Sequence, residues 1–289
     1  MLQTPDPEGL KEQVVAVGAR EIHVTEVGDG PVVIKLHGGG PGASGMSNFS
    51  RNVSTLAQRF RVIVPDMPGY GQSTKRLDQS DVFGDLAHSM IGLMDALGIE
   101  RASVVGNSLG GATALRMAMD HPGRIDRLVL MGPGGVGGLQ GGPSLGLQKL
   151  IGYYKGDGPS REKLAEFLRE FLVADGTAVS DEMIEARYRA SIDPEVVANP
   201  PLQVPNDPQA MARLDLSADP RMTQIDHPTL ALWGDADRVN LLTGGHWLRE
   251  NMKSCDLYIF AGVGHWVQWE RAAEFNAVCT AFLSANADV

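Results

Sequence analysis

Membrane-spanning and leader-like segments are missing from this 289-residue sequence. No apolar run approaches the roughly 20 residues that a membrane-spanning helix needs. The first residues, MLQTPDPEGLKEQ, lack a basic start followed by an apolar stretch, so no signal peptide is expected. The two cysteines, Cys255 and Cys279, are far apart and have no metal-ligand spacing. They are therefore expected to be buried free thiols in a reducing compartment, which predicts a cytoplasmic location.

Positive charge is also scarce. The chain has 25 Lys and Arg against 35 Asp and Glu, a formal net charge of −10. This balance argues against nucleic acid and anionic membrane surfaces as partners. The glycine-rich segment at 38–40 is not followed by Gly-Lys-Ser/Thr, so a phosphate-binding P-loop is not indicated. Hydrophobic residues make up 43% of the chain, which is enough to bury a sizeable core.

Short apolar strands alternate with amphipathic helices in the first and last parts of the chain. Strand-like runs at 32–36, 61–65, 103–105 and 124–131 are separated by helical segments at 48–59, 81–97 and 111–120. This alternation predicts an α/β fold with a mostly parallel twisted sheet and helices on both faces. A glycine-rich stretch at 132–146 breaks this alternation. Helices are then predicted at 147–173 and 181–191, with Ser160 and Ser180-Asp181 as helix starts. No strand is predicted before those at 229–233 and 256–260. Residues 1–132 and 226–289 are therefore expected to form the sheet domain, and 133–225 an inserted helical cap.

The segment Gly106-Asn107-Ser108-Leu109-Gly110 carries the strongest chemical signal. It joins an apolar strand to a helix, the setting in which G-x-S-x-G positions a nucleophile. A serine in such a turn projects its hydroxyl above the sheet, and the helix start offers free N–H groups to an oxyanion. We therefore predict Ser108 as the nucleophile and Leu109 N–H as one oxyanion donor. The glycine run at 38–40 is expected to supply the second donor.

A serine nucleophile needs a base, and the base needs an acid that orients it. His265 is the best base, because it lies in a glycine-flanked loop after the last predicted strand. Asp237 and Asp235 both follow the strand at 229–233, which gives the chain order Ser…Asp…His. Asp237 lies deeper in the loop and is the preferred acid, with Asp235 as the alternative. His37 is expected to shape the glycine loop.

Several segments together carry a family resemblance. They are HGGGPGA at 37–43 with SN at 47–48, DMPGYG at 66–71, GNS at 106–108, and GHWVQWE at 264–270 with EFN at 274–276. These segments resemble the α/β-hydrolase fold and, within it, the meta-cleavage product hydrolases. Those enzymes cleave a carbon–carbon bond in 2-hydroxy-6-oxohexa-2,4-dienoates, the ring-fission products of aromatic or steroid degradation.

The resemblance implies a role for each matching residue. Ser108, His265 and Asp237 would form the triad, with Gly39 and Leu109 as the oxyanion hole. The dienoate head would lie against Gly38, Gly40, Asn48, Asn107, Arg187 and Trp266. Arg187, on a cap helix, would pair with the substrate carboxylate, since a planar guanidinium suits bidentate carboxylate binding. Arg189 is the alternative.

The implied reaction begins with ketonisation of the dienol, followed by attack of Ser108 on the C6 carbonyl. It needs no metal and no organic cofactor, and its substrate is a small anionic dienoate. The resemblance also implies a homo-oligomer, a dimer or a tetramer. Two alternatives remain: a carboxylesterase, lactonase or amidase with the same triad, and a non-enzymatic binding protein. The latter would be expected to lack one triad residue, and all three are present.

Overall fold

In the computed structural model, which describes residues 9–137 and 142–285, eight strands form one sheet. The strands are β1 Lys11–Val17, β2 Arg20–Val27, β3 Val32–Leu36, β4 Arg61–Pro65, β5 Ala102–Asn107, β6 Ile125–Met131, β7 Thr229–Gly234 and β8 Cys255–Phe260. Their order across the sheet is β1-β2-β4-β3-β5-β6-β7-β8. β2 is antiparallel to both β1 and β4, and the remaining neighbours are parallel. The predicted mostly parallel sheet is confirmed.

Helices connect these strands and cover both faces. They are α1 Gly45–Phe49, α2 Val53–Leu56, α3 Val82–Ala96, α4 Leu109–Asp120, α5 Leu145–Gly152, α6 Arg161–Glu166, α7 Asp181–Ser191, α8 Pro194–Ala198, α9 Pro208–Arg213, α10 Thr243–Asn251, α11 Val267–Glu270 and α12 Ala272–Ser284. A π-helical turn, Phe167–Leu172, continues α6. No helix within the described ranges is both long and apolar enough to cross a membrane.

Alternate residues of the central strands supply two separate cores. Val104 and Leu128 pack into one cluster with buried side chains of α3, α4 and α10. Their neighbours Val105 and Val129 pack into the other, with side chains of α2 and α12. Because successive strand residues point to opposite faces, a run of consecutive apolar residues buries both faces of the sheet. The carboxyl ends of the parallel strands, where a ligand site is expected, therefore rest on a rigid base.

Between β6 and β7 the described residues form helices and no strand. Their apolar side chains make a third cluster, with Leu164, Leu168 and Ile184 fully buried in it. Trp266 and Trp269 from the loop after β8 and α11 belong to the same cluster. The insertion is thus packed against the sheet-domain segment that carries His265. Part of the predicted glycine-rich stretch at 132–146, namely 138–141, lies outside the described residues.

Two predicted helices are interrupted. The helix expected at 48–59 is wrong: α1 and α2 are separate, and Asn52 between them donates from Nδ2 to Gln268 O and Asn276 Oδ1. The helical stretch expected at 147–173 is also divided, because α5 ends at 152 and α6 begins at 161; the helix start expected at Ser160 is confirmed, since Ser160 is the N-cap of α6. Gly156 and Gly158 in that gap have φ of 64° and 80°. This backbone conformation and the following proline end a helix.

Lys35 is buried at the centre of the sheet without a counter-ion. Its side chain is fully enclosed on β3, and its Nζ has no hydrogen-bond partner among the described residues. The ammonium lies 4.5 Å from the centre of the Phe49 ring and 5.2 Å from that of Phe275, a weak substitute for hydration. The pKa of Lys35 is lowered to about 8, because burial disfavours the charged ammonium and the opposite effect of Cys279 is smaller.

Lys35→Met should therefore stabilise the protein near neutral pH. At pH 7 the lysine is charged in both states, and its lowered native pKa corresponds to a penalty of about 3 kcal/mol. Between about pH 8 and about pH 10.5 the unfolded parent binds more protons than the folded parent. The parent should therefore gain stability relative to the variant as the pH rises through this range. Urea unfolding of both proteins at pH 7 and pH 10 measures this; a difference that does not shrink at pH 10 would contradict it.

Candidate active site

Ser108 occupies a strained turn between β5 and α4. Its φ of 51° and ψ of −110° make it the one non-glycine residue with positive φ in the described chain. Such a conformation persists only where the surroundings enforce it, and it is common at functional sites. Ser108 N donates to Met131 O at 2.8 Å, and Gly134 N donates to Ser108 O at 3.0 Å. The main chain of the serine is thus fixed, while its hydroxyl faces the pocket.

The glycines of the motif permit this turn by letting backbone segments cross. A Cβ on Gly106 would lie 2.3 Å from Gly110 O, so β5 and α4 could not approach each other with a larger residue there. A Cβ on Gly110 would lie 2.1 Å from Leu36 O, at the end of β3. Gly110 N instead donates to His37 O. The serine turn and the glycine loop after β3 are therefore held together by direct main-chain contact.

Two backbone N–H groups remain free beside the serine. Neither Gly39 N nor Leu109 N donates a hydrogen bond to another residue in 9–137 or 142–285. The two residues are neighbours, since a Cβ on Gly39 would lie 3.1 Å from Leu109 Cδ2. Leu109 begins α4, so its N–H also lies at the positive end of the helix dipole. Two such donors next to a serine hydroxyl are suited to bind an oxyanion.

His265 is paired with Asp237. Its Nδ1 lies 2.7 Å from Asp237 Oδ2, and both side chains are almost completely buried. The other carboxylate oxygen of Asp237 accepts from Val239 N at 2.8 Å and Asn240 N at 2.9 Å. A carboxylate can only accept, so Nδ1 carries the proton and Nε2 is left as the basic nitrogen. No hydrogen bond joins Ser108 Oγ to His265 within the described residues, although both line one pocket.

The alternative acid does not contact the histidine. Asp235 Oδ1 instead accepts from Gly262 N at 2.7 Å in an exposed loop contact. Gly132, at the end of β6, explains how closely the Asp237–His265 pair is packed: a Cβ there would lie 3.1 Å from both Asp237 Oδ2 and His265 Nδ1. The hydrogen bonds thus distinguish the two candidate acids, since Asp237 pairs with His265 and Asp235 does not.

Most of the predicted residues line one pocket; Asp237 and Leu109 are not among its lining residues. Its polar wall contains Gly38, Gly40, Asn48, Asn107, Arg187 and Trp266, together with Ser108, His265 and Gly39. Trp266 Nε1 donates to Asn48 Oδ1 at 3.2 Å, and Gly38 N donates to the same oxygen at 3.3 Å. Asn107 Nδ2 is 3.2 Å from Met131 O. No cluster of three or more potential metal ligands occurs in the described parts of the chain.

Arg187 brings an unneutralised positive charge to this pocket. It is 5% exposed, and no carboxylate within the described residues forms an ion pair with it. Its Nε donates to Pro41 O at 3.1 Å, and its guanidinium lies 5.6 Å from the Trp266 ring centre. Burial lowers the pKa of Arg187 to about 10, which still leaves it charged at neutral pH. Arg189, in contrast, is exposed and paired with Glu185.

The sequence indicated a role for His37 but none for Tyr70 or for the three apolar residues that line the pocket. Tyr70 Oη donates to Gly39 O at 3.1 Å and orients the peptide of the glycine loop. His37 shapes the same loop as predicted: Nε2 accepts from Met67 N, and Nδ1 contacts Gly38 O, each at 2.9 Å. Burial lowers the pKa of His37, which favours this neutral form. Three apolar residues of the insertion complete the pocket: Leu150, Phe167 and Leu172.

The glycine loop meets helix α7 at Gly42. A Cβ on Gly42, whose φ is +66°, would lie 1.9 Å from Arg187 O. Gly98, after α3, has a nearly identical φ of +65°, but nothing lies within 4 Å of the corresponding Cβ position. The two glycines are therefore equal in backbone conformation and differ only in the space around them.

Gly42→Ala should destabilise the protein more than Gly98→Ala. The Gly98 variant should lose about 1–2 kcal/mol from left-handed strain alone. The Gly42 variant should lose a further 1–3 kcal/mol or so, because α7 and Arg187 must shift. Urea unfolding of the two variants and the parent provides the measurement. Equal losses would contradict a close contact between loop and helix.

Comparison with known proteins gives the same family from sequence and from structure. Residues 31–272 match the family described as the alpha/beta hydrolase fold. The chain is 40% identical over 266 residues to the 2-hydroxy-6-oxo-6-phenylhexa-2,4-dienoate hydrolase of Comamonas testosteroni, with 91% of each chain covered. It is 39% identical over 270 residues to the 2-hydroxy-6-oxononadienedioate/2-hydroxy-6-oxononatrienedioate hydrolase of the same organism, again with 91% of each covered.

A solved structure agrees over the same length. The meta-cleavage product hydrolase CumD of Pseudomonas fluorescens IP01 is 32% identical and superimposes with a TM-score of 0.83, covering 94% of this chain and 97% of that one. Both the sheet domain and the helical insertion fall within these matches. The protein therefore belongs to the alpha/beta hydrolase fold family and, within it, to the meta-cleavage product hydrolases.

Proposed function

We propose that this protein hydrolyses the carbon–carbon bond next to the C6 carbonyl of a 2-hydroxy-6-oxohexa-2,4-dienoate. The observation that carries the proposal is the buried, unneutralised Arg187 in the same pocket as Ser108 and His265. A guanidinium held away from water gains most from an anionic ligand, and a carboxylate matches its shape. An ester hydrolase with a neutral substrate has no use for this charge, whereas the dienoates carry a carboxylate.

In the first stage the bound dienol becomes a ketone. We propose that Arg187 binds the carboxylate and the adjacent enol oxygen, while Asn48, Asn107 and Trp266 surround this polar head. His265 Nε2, the basic nitrogen, accepts the enol proton, and a proton is returned to C5. The product is a 2,6-dioxo intermediate, whose C2 carbonyl and the double bond conjugated with it can accept the electron pair released when the C5–C6 bond breaks.

In the second stage Ser108 acts as the nucleophile, with His265 as its base and Asp237 as the acid that orients the base. Ser108 Oγ adds to C6, and the oxyanion that forms accepts hydrogen bonds from Gly39 N and Leu109 N. Cleavage of C5–C6 releases a 2-hydroxypentadienoate after proton transfer and leaves the C6 fragment as an ester on Ser108. Water, deprotonated by His265, hydrolyses this ester. Loss of one oxyanion donor would raise the barrier by about 3 kcal/mol.

The pocket wall opposite the polar head favours an uncharged C6 substituent. It is formed by Leu150, Phe167 and Leu172, and the one permanently cationic side chain that lines the pocket is Arg187. Arg238 is not among the residues that line the pocket and donates to Glu170 O in an exposed contact. A second substrate carboxylate would therefore be buried without a partner, which is strongly unfavourable. We propose an aryl or alkyl group at C6.

The helical insertion at 133–225 serves in this proposal as a cap over the sheet domain of residues 1–132 and 226–289. It contributes Arg187 for the head and three apolar side chains for the tail of the substrate. The sheet domain contributes the triad and the oxyanion donors. Substrate choice would thus be determined mainly by the cap, and the chemistry by the sheet domain.

The purified protein should consume a 6-phenyl dienoate with a higher kcat/KM than a 6-oxononadienedioate, because the second carboxylate meets apolar side chains. Loss of the yellow dienoate absorbance measures both rates. Ser108→Ala should bind the phenyl dienoate and show no turnover above about one thousandth of the parent rate. Failure of the parent to consume either compound would refute the proposed reaction; preference for the dicarboxylate would refute only the choice of C6 substituent.

Arg187→Ala should reduce kcat/KM for the phenyl dienoate by at least about 100-fold, because a buried charge-assisted pair is lost. It should reduce kcat/KM for p-nitrophenyl acetate, which has no carboxylate, by much less. Arg189→Ala is the matched control: the same residue type, two positions away on α7, but exposed and paired with Glu185. Equal losses on both substrates would show that Arg187 does not bind the carboxylate.

A further inference from the structure

The loop that carries His265 is attached to the cap through one carboxylate. Glu270, the last residue of α11, accepts from Gly264 N on Oε1 at 3.0 Å and from Ala174 N on Oε2 at 2.8 Å. Gly264 immediately precedes His265, and Ala174 follows closely on the π-helical turn Phe167–Leu172. The two oxygens of a single side chain therefore join the catalytic loop to the end of a cap segment.

The contact between these two segments is close along its whole length. His265 N donates to Leu172 O at 2.9 Å. A Cβ on Gly264 would lie 2.7 Å from Ala174 N and 2.9 Å from Val173 Cα, so the loop passes directly over the cap backbone. Leu172 lines the pocket beside His265. A shift of either segment would thus move a pocket side chain and the histidine at the same time.

Glu270 is suited to hold this contact rigid. It is only half-buried, but its carboxylate is enclosed enough that burial raises its pKa, against the lowering effect of its backbone donors. Hydrogen bonds from N–H groups to a carboxylate are stronger than neutral ones, and partial exclusion of water strengthens them further. Asp237 fixes the ring of His265 from one side. Asp237 orients only the ring, whereas Glu270 joins the loop that carries His265 to the cap.

We propose that Glu270 is a positioning residue for the reaction: its carboxylate holds the His265 loop and the 172–174 segment of the cap in the arrangement that directs His265 towards Ser108. This inference rests on the proposed role of Ser108 as nucleophile. It assigns Glu270 no contact with the substrate. It acts only through the two main-chain segments that it joins.

Glu270→Gln tests the proposal with almost no change in size. The amide keeps one acceptor, so only one of the two N–H donors can be satisfied, and the NH₂ group faces the other. Glu274→Gln is the matched control, because Glu274 lies four residues later, on α12, and its carboxylate accepts from Tyr258 Oη and Arg271 Nη2 in exposed contacts. The readout is the rate constant for modification of Ser108 by a fluorophosphonate, which depends on activation of the serine and on no dienoate.

The Glu270→Gln variant should be phosphonylated about 10- to 100-fold more slowly than the parent, since a small displacement of the base has an effect of that order. Its end point should still be one modified serine per chain, as a misplaced histidine slows every molecule equally. Partial unfolding would instead lower the end point. The kcat for the phenyl dienoate should fall by a similar factor, and Glu274→Gln should match the parent.

Modification of Glu270→Gln at the parent rate would overturn the proposal, as would an equal loss in Glu274→Gln. If Glu270→Gln does not fold, Glu270→Asp takes its place: its shorter carboxylate cannot reach both donors, and a parent-like rate in that variant would also overturn the proposal. A parent protein that does not react at all with the fluorophosphonate would instead refute Ser108 as the nucleophile. The two failures are therefore distinguishable.

Discussion

The site depends on how closely the main chain is packed at the carboxyl ends of β3, β5 and β6. Gly110 approaches Leu36 O and Gly106 approaches Gly110 O at distances that no Cβ permits, and Gly132 lies tightly against the Asp237–His265 pair. This crowding forces Ser108 into its strained conformation and leaves Leu109 N free. The chemical groups are flexible in principle, but the backbone that carries them has no room to move. Because these glycines have no side chains, the backbone of the site is packed closely enough to be held in place before any ligand binds.

Charge distribution is the second constraint. A chain with a formal net charge of −10 must attract an anionic ligand with a local field. In the proposed function Arg187 provides this field, and its buried charge is stabilised by Pro41 O and the Trp266 ring rather than by a carboxylate of the described residues. Lys35 is a contrasting case, since its ammonium is buried with no acceptor among residues 9–137 and 142–285 and does not line the pocket. The two buried cations therefore have different consequences. Arg187 lines the pocket and is available to a ligand, whereas Lys35 affects only the stability of the fold.

Much of the fold could be predicted from the sequence, because strand and helix periodicities are strong in the sheet domain. The family resemblance is confirmed, and it rests on short motifs that determine backbone geometry. The sequence favoured Asp237 but kept Asp235 as an alternative, since both follow β7 and only the path of the loop decides which one meets His265. The breaks at 50–52 and 153–160 have different origins. The break at 50–52 depends on a side-chain contact of Asn52 with a distant segment, whereas the Gly-Asp-Gly-Pro segment at 156–159 is a helix-breaking signal that the sequence itself contains.

The apolar wall was beyond prediction as well. Leu150, Phe167 and Leu172 are ordinary members of amphipathic segments, and nothing local indicates which face of a cap helix lies over the serine. The same holds for Glu270, whose importance arises from two donors that are distant from each other in the chain. Predictions from sequence succeed where a residue acts through its own backbone. They fail where its effect depends on which segments are brought to it by the tertiary fold.

The hydrogen bond from Arg187 to Pro41, together with the tight fit of Gly42 under the Arg187 carbonyl, limits how a substrate can enter. If the insertion lifted away as one piece, this contact would break and a guanidinium would lose its partners before any ligand had replaced them. Lifting the α7 part of the insertion before a ligand binds would therefore be unfavourable, because the Arg187 guanidinium would be left without its hydrogen bond and its aromatic contact.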